Sequence, residues 1–341
     1  MEFLSDLGLF SGKVIILTFA IGLILVLFFA LLAKARHSKP LLTVENMNKR
    51  FDDMARALKG SILDAKAQKL DAKLSKKKTK AEKGRPKDRK RIYVLEFKGD
   101  IRASHVENLR EEVSALLTVG RPAMDEVVVV VESPGGMAHA YGLAAAQLLR
   151  VRQGGLSLTI SVDKVAASGG YMMACTADKI LAAPFAIIGS IGVVAQIPNF
   201  HRLLKKNDVD YEEITAGEFK RTISIFGEIT EKGRRKFLDQ LEETHALFKT
   251  FVKDCRPKLN LDEVATGEYW FGRRALELNL VDELVSSDDY LFRQREDADI
   301  YKVEMKVHKR WSDKLAENIA SLVVGSYEKT WSKSQESNFL T

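Results

Sequence analysis

Ser168 sits in the run Ala166-Ala167-Ser168-Gly169-Gly170-Tyr171, after an apolar stretch and ahead of a helix-forming one. A hydroxyl there would stand at the mouth of a sheet, beside the positive end of a helix, where a nucleophile is useful. Serine is equally a preferred helix N-cap, so the run by itself leaves both uses open. A second turn, Ser133-Pro134-Gly135-Gly136, has paired glycines that let backbone N–H groups approach a ligand, or that simply reverse the chain. A serine nucleophile needs a base. The histidines are His37, His105, His139, His201, His245 and His308, and only His139 lies near either turn in sequence. No acid accompanies it at a recognisable spacing, so a Ser-His-Asp triad does not assemble. A lysine kept neutral by desolvation is the other base, but no pattern selects it among 53 Lys and Arg.

Other chemistry is poorly supplied. Two cysteines exclude a disulfide scaffold, and no Cys-x-x-Cys pair suggests zinc or redox work. Cys175, seven residues after Ser168, reads as a small buried residue, and Cys255 has no partner at a telling distance. Asp178, Asp282 and Glu283 stand singly among apolar residues, so no metal and no cofactor is expected.

The elements that must hold these turns alternate strand and helix. Ile92–Phe97 reads as a strand, His105–Leu117 as a helix, and the valine run Val127–Val131 as a strand buried on both faces. Ala140–Arg150 is then helical, Leu156–Val162 a strand, and Glu231–Lys253 a long amphipathic helix. Strands separated by helices of this length make parallel β-α-β units, so the class is α/β. Both candidate turns follow strands.

The amino-terminal third has a different character. Val14–Ala33 is twenty residues without a charge, about 30 Å as a helix, which matches a bilayer core. That length favours an uncleaved single-span anchor over a signal peptide. Residues 34–91 hold 20 Lys/Arg and 7 Asp/Glu, a local +13, leaving −6 for the rest of a chain whose total is +7. A basic fold that grips nucleic acid is therefore not expected, and no aromatic residue interleaves the charges. Met47, Phe51, Met54, Leu58 and Ile62 recur as one apolar face of a long helix running to about Lys83. The basic run beyond it suits a solvated linker or contact with anionic lipid headgroups. The expected organisation is a flank (1–13), an anchor (14–33), a basic helical linker (34–90), a catalytic-type domain (91–290) and a tail (291–341). Lys34, Arg36 and Lys39 after the span favour a cytoplasmic domain.

At these residues the chain resembles the signal peptide peptidase A family of serine-lysine peptidases, in particular its membrane-anchored SohB-type members. The carrying pieces are Glu132-Ser133-Pro134-Gly135-Gly136, Val165–Tyr171, Gly189-Ser190-Ile191-Gly192-Val193, Ala216-Gly217-Glu218-Phe219-Lys220-Arg221, and Thr266-Gly267 through Leu280-Val281-Asp282-Glu283. Each is weak alone; five in order are specific. The resemblance implies a crotonase/ClpP-like domain with Ser168 as nucleophile, Lys220 as general base and Ser190 orienting the Lys220 amine. It implies an oxyanion hole from the Gly169 N–H and one N–H of the Gly135–Gly136 turn. Phe219 and Ile223–Phe226 are expected to desolvate Lys220, and Arg221 to favour its neutral form. Because the chain has one half where the longest members have two, the resemblance also implies a homo-oligomer, and it leaves open whether Ser168 and Lys220 meet within one chain or across an interface. It places the domain outside the cytoplasm, against the flanking charges, and the membrane side stays open.

The resulting expectation is a serine endopeptidase of the bacterial inner membrane acting on extended apolar peptides, such as remnant signal peptides or misfolded envelope proteins. Two rivals use the same residues differently. In one the chain is a non-catalytic membrane scaffold; in the other its paired N–H groups polarise an acyl-CoA thioester, which leaves Ser168 and Lys220 without a task.

Overall fold

The computed structural model describes residues 18–19, 21–22, 40–82 and 88–307. Contacts divide the chain into Thr43–Glu304 and a second unit, 1–42 with 305–341, most of which lies outside the described residues. The expected anchor Val14–Ala33 also lies outside them except for Thr18, Phe19, Ile21 and Gly22. Among the described residues no helix is long and apolar enough to cross a membrane.

The elements in chain order are β1 (Pro40–Asn46), α1 (Met47–Ile62), α2 (Ala65–Glu82), β2 (Lys90–Lys98), α3 (Val106–Val119), β3 (Glu126–Glu132) and α4 (Ala138–Gln153). Then come β4 (Ser157–Val162), β5 (Val165–Ala167), α5 (Gly169–Ala174), β6 (Lys179–Ala182), β7 (Ile187–Gly189), α6 (His201–Lys206) and α7 (Glu231–Cys255). The chain closes with α8 (Leu261–Val264), β8 (Tyr269–Phe271), α9 (Gly272–Glu277), β9 (Glu283–Leu284), α10 (Ser287–Gln294) and β10 (Ala298–Val307).

The main sheet has the order β1-β10-β2-β3-β4-β6-β9, and β10 through β9 run parallel. Register follows from the apolar runs: Tyr93, Leu95 and Phe97 stand opposite Val127, Val129 and Val131. That face is covered by α3 and α4 through Leu109, Val113, Tyr141 and Leu148. The other face, with Ile92, Val94 and Val128, takes Met47 of α1, Leu291 of α10, and Ala298 and Ile300 of β10. Both faces are dry, which is why these strands read as unbroken apolar runs rather than alternating ones. A smaller sheet, β5-β7-β8, stands apart and carries the serine turns.

Two sequence expectations need correction. The single helix expected up to about Lys83 begins only after a strand and breaks at Leu63-Asp64, where Leu63 is extended (φ −83°, ψ 143°) and Asp64 Oδ1 accepts the Ala67 N–H at 2.7 Å. Its apolar stripe is only partly used: Met47 is buried and Phe51 packs edge-on against Phe292 at 5.6 Å, but Met54, Leu58 and Ile62 are exposed. The boundaries set at 90 and 290 also fall inside the fold. Asn48 binds Ala298 O and Arg295 O through Nδ2 and accepts the Ile300 N–H, stitching α1 to β10, a sheet strand inside the expected tail.

Candidate active site

β5 ends against β7 with Ala167 paired to Gly189, so Ser168 and Ser190 are the next residues along two neighbouring parallel strands. The Ser168 N–H donates to Gly189 O at 2.8 Å, and the Met172 N–H returns to Ser168 O at 2.9 Å as α5 begins. Ser168 is thereby held at φ 51°, ψ −115°, a conformation costing a non-glycine residue about 1–3 kcal/mol. Its side chain makes no capping bond to α5 and remains half-buried. The N-cap use is therefore excluded. This strand-turn-helix elbow presents the Ser168 hydroxyl at the end of the small sheet, a geometry that suits a nucleophile.

The glycine turn lies directly against this elbow. Gly135 has φ 91°, and a Cβ there would come within 2.8 Å of Ser168 Cβ and the Gly169 nitrogen and 2.7 Å of Ala167 O. Ser133 joins the elbow from beneath: its N–H donates to Val165 O at 2.8 Å and its carbonyl accepts from Ala167 at 3.0 Å. The Tyr141 hydroxyl donates to Asp100 O at 2.7 Å, so at 2.6 Å it must accept from the Ser133 hydroxyl, whose oxygen accepts the Gly135 N–H at 3.1 Å. This buried chain of hydrogen bonds was not legible in the sequence. It commits the Gly135 N–H, whereas no bond among the described residues takes the N–H of Gly136, which is exposed.

Ser190 is also left-handed, at φ 53°. Its N–H donates to Glu268 O at 2.7 Å, and the next carbonyl, Ile191 O, lies 3.2 Å from His245 Nε2 on α7. His245 is thus a neighbour of the site that no local motif announces. His139, by contrast, is exposed at the start of α4.

Lys220 is placed differently. It closes a turn through its N–H to Gly217 O at 3.1 Å, and its side chain is exposed. No hydrogen bond joins its amine to Ser168 or Ser190 among the described residues. The expected desolvation is absent within one chain. Phe219 lies under the Lys232 and Lys236 ammonium groups, each 5.6 Å from its centroid, while Ile225 and Phe226 face solvent. Arg221 pairs with Glu213 at 3.4 Å. The excursion that carries Lys220 is tied to itself: Asn199 Nδ2 holds Ser224 O and Gly227 O at 2.9 Å each, and Phe226 meets the Phe200 and Tyr211 rings. It nevertheless leaves Val194, Leu203 and Ile214 largely uncovered. Among the described residues no group of three His, Cys, Asp or Glu could hold a metal ion.

Residues 2–148 match the family model described as Peptidase family S49 N-terminal, and residues 150–301 that of Peptidase family S49. The chain is 44% identical over 328 residues to "Probable protease SohB" of Buchnera aphidicola subsp. Acyrthosiphon pisum, spanning 95% of this chain and 97% of the relative. It is 59% identical over 218 residues to "Probable protease SohB" of Haemophilus influenzae, spanning 64% of this chain and 62% of that relative. Similarity to "Protease 4" of Haemophilus influenzae is 31% over 179 residues, half of this chain and 29% of the relative.

Proposed function

The chain belongs to peptidase family S49, and from that premise we propose that it is a membrane-anchored serine endopeptidase working through Ser168 and Lys220. The observation that carries the reading is the Ser168 elbow: a strained serine with an uncommitted hydroxyl, against which Gly135 packs too closely for any side chain. In the reaction the Ser168 Oγ attacks the peptide carbonyl while its proton passes to the neutral Lys220 amine. The charge that develops on the carbonyl oxygen is met by the Gly169 and Gly136 N–H groups, one such donor being worth about 3–4 kcal/mol. The protonated lysine then delivers its proton to the leaving amine, and water repeats the sequence on the acyl-enzyme. Ser190, one strand away, orients the lysine amine.

Lys220 and its apolar neighbours are exposed in the single chain, which favours a homo-oligomer whose neighbouring copy brings or encloses the base. A lysine buried in that way loses its charge more readily. The uncharged run Val14–Ala33 supports a single-span anchor in a bacterial inner membrane, and the basic segment after it supports contact with anionic lipid. Extended apolar peptides, including remnant signal peptides and misfolded envelope proteins, are the substrates this arrangement suits in a crotonase/ClpP-like domain.

The test is labelling of the detergent-solubilised full chain with a serine-reactive fluorophosphonate, with hydrolysis of apolar peptides alongside. Loss of both signals, by a thousandfold or more, is expected in Ser168→Ala and in Lys220→Ala. Activity of the folded Ser168→Ala protein equal to wild type would overturn the reading. Folded wild type silent in both assays would favour the scaffold role.

A further inference from the structure

Met47, Phe51, Met54, Leu58 and Ile62 share one face of α1, at spacings of four and three. The fold uses only the start of that face. Met47 is buried and Phe51 half-buried against Phe292, whereas Met54, Leu58 and Ile62 are 55%, 64% and 76% exposed. Exposure rises outward along one line, so the stripe runs off the protein instead of ending on it. α2 repeats the arrangement on a smaller scale: Leu70 and Leu74 are exposed one turn apart, and the exposed Lys66, Lys69 and Lys73 follow the ridge beside them.

The two helices are built firmly onto the fold. Asn46 Oδ1 caps α1 by accepting the Lys49 N–H at 2.9 Å, and Asn48 stitches its first turn to β10. At the joint with α2, Gln68 Nε2 donates to Gly60 O and Leu63 O at 2.9 Å each, and Lys59 pairs with Asp71 at 2.6 Å. A surface that takes up the stripe of α1 therefore also takes hold of the main sheet.

Charge and chain position decide what covers that stripe. Residues 47–82 hold eleven Lys/Arg and five Asp/Glu, a net +6. Among the described residues Lys66, Lys69 and Lys73 meet no carboxylate. Two copies of so basic a helix pair repel each other, which disfavours a second copy as the occupant. An anionic surface with an apolar interior suits both the charge and the stripe. Only thirteen residues lie between Ala33, the end of the uncharged run, and Met47. They reach at most about 45 Å, so a bilayer that holds the run lies within range of α1.

We propose that α1 lies in the interface of an anionic bilayer, with Met54, Leu58 and Ile62 among the upper acyl chains and the lysines of α2 at the phosphates. The lysine stems cover apolar surface while their ammonium groups reach the headgroups, each such charge adding about 1 kcal/mol of attraction. The outer half of the stripe is then buried by lipid as its inner half is buried by the sheet.

This contact goes beyond general attraction of a basic segment to lipid, because it names an inserted face and ties that face to the sheet through Asn48 and Phe51. Gripped at α1, the sheet takes one tilt against the bilayer and does not swing on a loose linker. The contact rests on the single-span anchor proposed above and not on the roles given to Ser168 and Lys220.

The experiment reconstitutes the full chain in vesicles of phosphatidylcholine and phosphatidylglycerol. An environment-sensitive fluorophore is attached in Leu58→Cys, in Ile62→Cys or, on the opposite side of α1, in Arg56→Cys, each combined with Cys255→Ser; Cys175 is fully buried and stays unlabelled. Emission from positions 58 and 62 should shift to the blue and be quenched by doxyl-labelled lipid about threefold more strongly than emission from position 56. Omitting phosphatidylglycerol should reduce that quenching about twofold. Equal quenching at the three positions would overturn the proposal. So would quenching indifferent to phosphatidylglycerol, or a blue shift that doxyl lipid leaves unquenched, which marks a protein partner. An alkaline carbonate wash separates this contact from the anchor. A chain that stays in the vesicles with its labels in water keeps the anchor and loses the α1 contact, and a chain that the wash strips off overturns both.

Discussion

Ser168 concentrates the local strain of the site, and its neighbours keep it there. Its left-handed φ is imposed by the Ala167–Gly189 pairing behind it and by the first turn of α5 ahead. Gly135 has no room for a side chain on the elbow side. Gly135→Ala should therefore lower stability by about 2–4 kcal/mol, from a positive φ together with contacts under 3 Å. Chemical denaturation gives that number, and a loss below 0.5 kcal/mol would mean that the turn can retreat from Ser168. Tyr141→Phe removes the link between Ser133 and Asp100 while keeping the ring that packs on Gly169. It should cost about 1–2 kcal/mol and slow serine labelling more than Ser133 burial alone would explain, because the Gly135 amide loses its fixed direction.

At the scale of elements, α7 runs past both the Lys220 segment and the turn after Ser190. Its first turn supports the Lys220 segment, with Lys232 paired to Glu218 and Gly233 close under Thr222 O. Its middle reaches Ile191 O through His245, and its end is clamped by Asp282. His245→Leu should slow serine labelling about tenfold, whereas His245→Gln, which keeps a donor at the same reach, should restore most of it. A double-mutant cycle with Ser190→Ala gives the discriminating result: if His245 acts by placing Ser190, its loss adds little once Ser190 is gone. The Asp282 carboxyl, despite burial that raises it, is held below the ordinary carboxylate range by Arg256 and by the Ile180 N–H. A depressed folded-state value means that its contribution is present above the unfolded value near pH 4 and is lost as pH falls through the folded one. Asp282→Asn should cost about 1–2 kcal/mol at pH 7, discounted for partial exposure, and the difference from wild type should shrink below about pH 4. Thermal melts across pH 3–7 check it.

At the scale of the whole molecule, the described residues leave several large apolar side chains bare. Val194 and Ile214 are 79% and 86% exposed, and burying each would contribute about 1.5–3 kcal/mol. This excursion and Lys220 belong to one segment, so association and completion of the site are expected together. Mixing denatured Ser168→Ala and Lys220→Ala chains in equal amounts and refolding them should recover about a quarter of wild-type activity if Ser168 and Lys220 come from different copies. No recovery from well-formed mixed oligomers would place both groups in one chain. Dilution below the dissociation constant of the oligomer should abolish labelling in the first case and spare it in the second.

The alternation of strand and helix, the valine run and the turns at Gly135 and Ser168 were legible in the sequence because they are local. A strand buried on both faces must be apolar throughout, and a turn at positive φ pressed against Ser168 has room only for glycine. The motifs around Ser168, Ser190 and Lys220 were legible as a family pattern. Contacts that span long stretches of chain were not. The reach of His245 to Ile191 and the hydrogen bonds from Gly135 through Tyr141 to Asp100 join residues whose spacing carries no periodic signal. The membership of β1 and β10 in the sheet was hidden for a similar reason, since the edge strand β1 and its neighbour β10 carry many polar residues and look like polar linker until their partners are known. Local chemistry thus followed from residue type and backbone sterics. Which donor of the glycine turn is unclaimed, and what surrounds Lys220, were decided only when tertiary packing brought distant groups within hydrogen-bonding range or left them in water.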